Sequence, residues 1–144
     1  MTIEETQKEI ISEFKVFDDW FGRHGHLIEL GKSLPPLAPE YKTENNLVKG
    51  CQVKTWFHSA AKDGKMFYSI DSESALIRGI ISLLARIFSG QTPEEIKNAD
   101  LFFVDKVGLE EDFSPMRANS VFKIASRIKA DAAAARGAGG TGQN

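Results

Sequence analysis

The dipeptide Asp63-Gly64 constrains this chain more than any other pair of residues in it. A two-residue type I′ hairpin needs positive φ at both central positions, and Asp-Gly is among the pairs that adopt it most readily. Upstream, Val53 to Ala61 is rich in β-formers (Val53, Thr55, Trp56, Phe57). Downstream, Lys65 to Ile70 alternates Met66, Tyr68 and Ile70 against Phe67 and Ser69. These residues predict an antiparallel hairpin. A third, short strand is expected at Asn46 to Lys49, leading into a Gly50-Cys51 turn.

Helices are expected on both sides of the hairpin. Thr2-Ile3-Glu4-Glu5 has the form of a capping box, opening a helix that carries Ile10, Phe14 and Phe17 at helical spacing. Asp18 or Asp19 caps a second helix that ends near Gly31. Leu34-Pro35-Pro36-Leu37-Ala38-Pro39 is neither helix nor central strand, because three prolines remove donors and hold φ. It reads as an extended connector with its leucines on the core. After the hairpin, Asp71-Ser72-Glu73-Ser74 caps a helix with a broad apolar face from Leu76 to Phe88. Gly79 within that helix suggests a close backbone approach, since glycine there costs about 1 kcal/mol against alanine. Thr92-Pro93-Glu94-Glu95 starts a further helix, Asp100 to Leu109 reads as a brief helix or turn, and Ser114-Pro115 starts the last helix. Past Ala130 the small-residue, glycine-rich end is expected to fray. The fold class is therefore α+β: a small antiparallel three-stranded sheet packed on one face by several helices, with one domain over residues 1–132 and a flexible tail over 133–144.

Composition removes several function classes. A formal net charge of −2 supplies no general attraction for nucleic acid. No apolar run approaches the roughly 20 residues that a bilayer requires, and the N-terminus has neither the basic start nor the apolar run of a signal peptide. The expectation is a cytoplasmic protein without membrane or nucleic-acid partners. One cysteine in 144 residues excludes an internal disulfide.

Candidate chemistry is sparse. His24, His26 and His58 are not spaced as metal ligands, and no second cysteine could complete a zinc site. The glycines at 137 to 142 are not followed by the Lys-Ser/Thr of a phosphate-binding loop. Cys51 is left. Free cysteine is often buried filler, but a thiolate near positive charge is a nucleophile, and Lys49 and Lys54 flank it. Arg117 falls in the first turn of the last helix, where the helix dipole disfavours a cation; it is either an ordinary surface arginine or one with another partner.

Five motifs in order resemble one family. Asn46, Gly50-Cys51-Gln52 and Trp56 resemble the sulfur-acceptor loop of SufE-type proteins. Glu29-Leu30-Gly31 with the later prolines, and Asp71-Ser72 leading to Ile77-Arg78-Gly79-Ile80-Ile81, fit the same pattern. So do Thr92-Pro93-Glu94-Glu95-Ile96 and Leu109 followed by Ser114-Pro115-Met116-Arg117-Ala118-Asn119-Ser120. Met116 and Ser120 depart from the residues frequent there, serine and glycine. The resemblance covers residues 3 to 132.

It implies a fold shared with IscU-type scaffolds and a role as a SufE/CsdE-type sulfur acceptor. Cys51 would take persulfide sulfur from a SufS-like cysteine desulfurase, stimulating it, and deliver that sulfur to a SufBCD-like complex for iron–sulfur cluster assembly. Gly50 and Gln52 would shape the loop, with Arg117 and Asp71 supporting it or touching the partner. The chain would be a sulfurtransferase-like carrier and not a free-standing enzyme, a monomer or weak homodimer. It would hold no metal or cofactor of its own, the pyridoxal phosphate belonging to the desulfurase. Cys51 is expected to fold toward apolar residues when idle and to swing out on docking. Two other readings are a cluster scaffold, which normally uses several cysteines, and an interaction module in which Cys51 is structural.

Overall fold

A computed structural model describes residues 1–48, 53–107 and 115–139, with the backbone alone at 105, 115–120 and 136–139. The chain begins with α1 (Ile3–Phe14), capped by Thr2 and Glu5 in the reciprocal pair that the sequence suggests. Its inner face buries Ile3, Ile10 and Phe14. Gln7 is also fully buried, yet its amide is satisfied: it donates to the Asp100 carbonyl at 2.8 Å and accepts from the Phe102 and Phe103 N–H groups. That amide fastens the segment before α5 (Phe103–Lys106) to α1.

The second helix, α2 (Trp20–Ser33), is capped by Asp19, which accepts from the Gly22 N–H at 2.9 Å. It lies against α3 (Ala75–Phe88), whose apolar face supplies much of the core. The two helices meet through glycine. A Cβ on Gly79 would stand 2.0 Å from the Leu27 carbonyl oxygen, and one on Gly31 2.5 Å from that of Ala75. The close approach suggested by Gly79 is thus a backbone contact with α2, which any larger side chain would separate.

The hairpin joins β1 (Thr55–Lys62) and β2 (Lys65–Ser72) in antiparallel register from Thr55 opposite Ser72 to Lys62 opposite Lys65. Asp63 and Gly64 have φ of 53° and 77°, the positive values of a type I′ turn. Phe57, Met66, Tyr68 and Ile70 face the core. After α3, Gly90 and Gln91 bond back to Met66, which covers part of the outer edge of β2. Short α4 (Pro93–Lys97) follows with its own capping box.

The sheet corrects one expectation: among the described residues it has two strands, not three. At the expected third strand, Glu44–Asn46 forms a 3-10 turn, and the Asn46 N–H bonds within it to the Thr43 carbonyl. A donor used in the turn cannot join a ladder, so pairing begins one residue later, as a single bridge between Leu47 and Trp56. The last helix, α6 (Pro115–Gly139), buries Val121, Ile124, Ile128 and Ala132. Its alanine run, where the sequence suggests fraying, stays helical: alanine has the highest helix propensity, and Ala132 packs into the core.

Candidate functional site

Cys51, Gly50 and Gln52 lie outside the described residues, but both arms that lead to them are described. The upstream arm comes from the proline-rich connector. Its Asn46 side chain donates to the Tyr41 carbonyl at 2.8 Å, and Tyr41 stacks on His58 of β1 with ring centroids 4.1 Å apart. Val48, buried, donates its N–H to the Thr55 carbonyl at 2.8 Å. The downstream arm starts at Val53, packed on the core, and enters β1 at Thr55. Val48 and Val53 are therefore held near one point at the base of the hairpin.

That base is braced by hydroxyls. Thr55 is fully buried, with its Oγ1 3.3 Å from the Val53 carbonyl and 3.1 Å from the Ser72 Oγ. One arrangement satisfies every group: Thr55 donates to Val53, Ser72 donates to Thr55, and Ser72 accepts from the Ser74 N–H at 3.2 Å. The Glu73 N–H adds a bond to the Lys54 carbonyl at 3.0 Å. Sheet, arm and the N-cap of α3 thus share one hydrogen-bonded cluster.

Beside it lies a buried charge. Asp71, expected at the start of a helix, instead sits at the end of β2 opposite Trp56, and the residue that caps α3 is Ser74. Asp71 is 4% exposed. Its carboxylate accepts from the Leu37 and Ser72 N–H groups at 3.1 and 2.8 Å, from Lys42 at 3.3 Å, and from Arg78. Burial by itself would raise its pKa, but the two N–H groups, then Arg78 and Lys42, outweigh burial and hold it below the usual carboxylate range. Arg78 also donates to the Gly31 carbonyl at 3.0 Å and to Leu34, joining the end of α2 to the connector. Lys42 lies 5.1 Å from the Trp56 ring, a cation–π contact onto β1.

Of the candidate site residues Cys51, Gly50, Gln52, Arg117 and Asp71, only Asp71 is brought to this base with a described side chain, beside the motif residues Asn46, Trp56, Ser72 and Arg78. Arg117 lies at the start of α6 and its side chain is outside the described residues. The histidines do not come together: His24 packs tilted against Trp20, His26 is bonded to Glu13 at 2.6 Å, and His58 stacks on Tyr41. Sequence reasoning gave no site role to Lys42, Thr55, Arg78 or Arg127, although Arg78 stands in one of the family motifs and Thr55 in the predicted strand. Arg78 carried a signal, as one of two charges in a helix that is otherwise nearly all apolar. The others have exposed-looking or strand-typical neighbours and no such mark. No described helix is long and apolar enough to cross a membrane.

Residues 8–132 match the family described as SufE, Fe-S metabolism associated domain. The chain belongs to the SufE family. An uncharacterized SufE-like protein of Rhizobium etli is 35% identical over 129 residues, 86% of this chain and 87% of that one. The sulfur acceptor protein CsdE of Escherichia coli is 29% identical over 125 residues, 85% of each chain. The solution structure of a hypothetical protein from Thermus thermophilus shares the fold, with a TM-score of 0.74 over 90% of this chain and 95% of that one, at 24% identity. The family match over residues 8–132 spans the hairpin, the connector and the residues around Asp71, so the base described above belongs to the shared domain.

Proposed function

We propose that this chain is a sulfur acceptor that takes persulfide sulfur onto Cys51 from a SufS-like cysteine desulfurase. The observation that carries the reading is the SufE-family match spanning the only cysteine of the chain. The CsdE relative, a sulfur acceptor by name, supports the same role. The chemistry is thiol–disulfide exchange. The Cys51 thiolate attacks the outer sulfur of the desulfurase persulfide. A sulfur–sulfur bond forms to Cys51 as the one in the desulfurase breaks, the outer sulfur keeps its proton, and the desulfurase thiolate leaves. No external oxidant or reductant is consumed.

One thiol suffices for such a relay, and it asks for a segment with well-held ends more than for a pocket of acids and bases. Val48, Thr55, Ser72 and the Asp71–Arg78 pair supply those ends. Gly50 and Gln52 shape the segment, and Arg117 and Asp71 support it or touch the partner. Delivery goes to a SufBCD-like assembly complex, in the reducing cytoplasm, by a monomer or weak homodimer that needs no metal or cofactor of its own. The test is intact-mass spectrometry after incubation with a SufS-type desulfurase and cysteine. The expected product gains roughly 32 Da, one sulfur, on Cys51. Cys51→Ser gains nothing and no longer stimulates the desulfurase; stimulation that survives in a folded Cys51→Ser protein rules the carrier mechanism out.

A further inference from the structure

One guanidinium links the upstream arm of the Cys51 segment to strand β1. Arg127 on α6 donates through Nη2 to the Asn45 carbonyl at 3.0 Å, in the 3-10 turn of the upstream arm. The same group lies 5.8 Å from the ring of Phe57, a fully buried residue of β1 two positions beyond Thr55. Its Nε faces the Asp131 carboxylate at 3.1 and 3.2 Å. Asp131 in turn accepts from the Ser59 hydroxyl at 2.5 Å.

An i,i+4 ion pair on a helix surface restrains little by itself. Here each member has a second attachment to the sheet, Asp131 through Ser59 and Arg127 through Phe57. The side chains are about three-quarters buried, at 26% and 25% exposure. The planar fork is therefore set before it meets Asn45, and a pre-set fork loses less freedom per hydrogen bond than a free side chain. Asn45 stands three residues before Val48, the last described residue ahead of Cys51.

We propose that Arg127 is a positioning residue for sulfur acceptance: it holds the upstream arm at the Asn45 carbonyl and so sets where the Cys51 segment begins relative to β1. The proposal rests on the sulfur-acceptor reading. Arg127 acts through Asn45, and small displacements of a reacting group have large effects on rate when the attacking geometry is narrow.

The experiment follows persulfide formation on Cys51 by intact mass, at increasing concentrations of this protein, with a SufS-type desulfurase and cysteine. Arg127→Ala is expected to lower the loading rate at saturation roughly three- to tenfold, with the half-saturating concentration changed less than about twofold. Asp131→Ala, placed in an alanine-rich helix that tolerates it, removes the anchor of the fork and shifts the same quantity in the same direction. If Arg127→Ala does not fold, that second variant decides. Saturated rates equal to wild type overturn the proposal. So does a change confined to the half-saturating concentration, which would make the guanidinium a partner contact. A wild-type protein that gains no sulfur overturns the acceptor reading itself, whereas equal loading of wild type and variants overturns only the role of Arg127.

Discussion

The Asp71 carboxylate and the Arg78 guanidinium form an ion pair at the junction where β2, α2, α3 and the proline-rich connector meet. The side chains are 5% and 18% exposed. Separating such a pair leaves one charge buried without its partner, which costs about 3–5 kcal/mol, whereas a rim pair contributes ~1 kcal/mol or less. Arg78→Ala is therefore expected to lower the unfolding free energy by about 3 kcal/mol. Arg86→Ala, whose side chain is one-third exposed and whose partners Glu9 and Glu13 are half-exposed and part-buried, should cost less, about 1 kcal/mol. Urea titrations of the two variants give the comparison, and equal losses contradict it.

Stability should depend on Asp71 in acid. Its pKa is depressed in the folded protein, so the unfolded chain binds its proton first as pH falls. The contribution is then fully present at neutral pH, begins to decline near the ordinary carboxylate value of about 4, and is gone below the folded pKa. Glu13 adds an effect of the same sign: burial would raise its pKa, but bonds from His26 and Arg86 hold it low. Wild-type urea midpoints should drop on going from neutral pH to about pH 3, and the drop should be smaller in Asp71→Asn. Parallel curves for the two proteins refute this.

The two glycines of neighbouring helices give opposite expectations for the same substitution. Gly79→Ala puts a methyl group 2.0 Å from the Leu27 carbonyl oxygen and must push α2 away from α3. It should destabilise by about 3 kcal/mol or more, as overpacking against backbone does. Gly25 in α2 has nothing within 4 Å of the added carbon, so Gly25→Ala should stabilise by about 0.5–1 kcal/mol through helix propensity. Thermal melts of the pair measure the difference in sign.

Thr55→Val keeps the shape of the side chain and removes its hydroxyl from the cluster with Ser72 and Val53. Loss of a buried hydrogen bond should cost about 1–2 kcal/mol. Because the cluster braces the downstream arm, sulfur loading of Cys51 should slow while the thiol itself is retained. Chemical denaturation and mass-resolved loading measured on one preparation test both parts.

The local elements of this protein are legible residue by residue along the chain. Asp63-Gly64 specified the hairpin because few residue pairs accept positive φ twice, and Thr2, Asp19 and Thr92 began helices because each supplies an acceptor to backbone N–H groups of the first turn. The five-motif resemblance likewise named the family before any contact was known. Which distant residues share a site was settled by packing alone. Leu37 and Lys42, from the stretch that follows α2, meet Arg78 of α3 at Asp71, and Arg127 reaches Asn45 across 82 positions. Nothing local encodes those meetings. They follow from the packing of α2 on α3 through Gly31 and Gly79 and from the burial of the apolar face of α6, chiefly against α4 and also against α3 and β1. The expected third strand failed for the same reason: whether Asn46 bonds in a turn or in a ladder depends on where Tyr41 and Trp56 are placed by the rest of the fold.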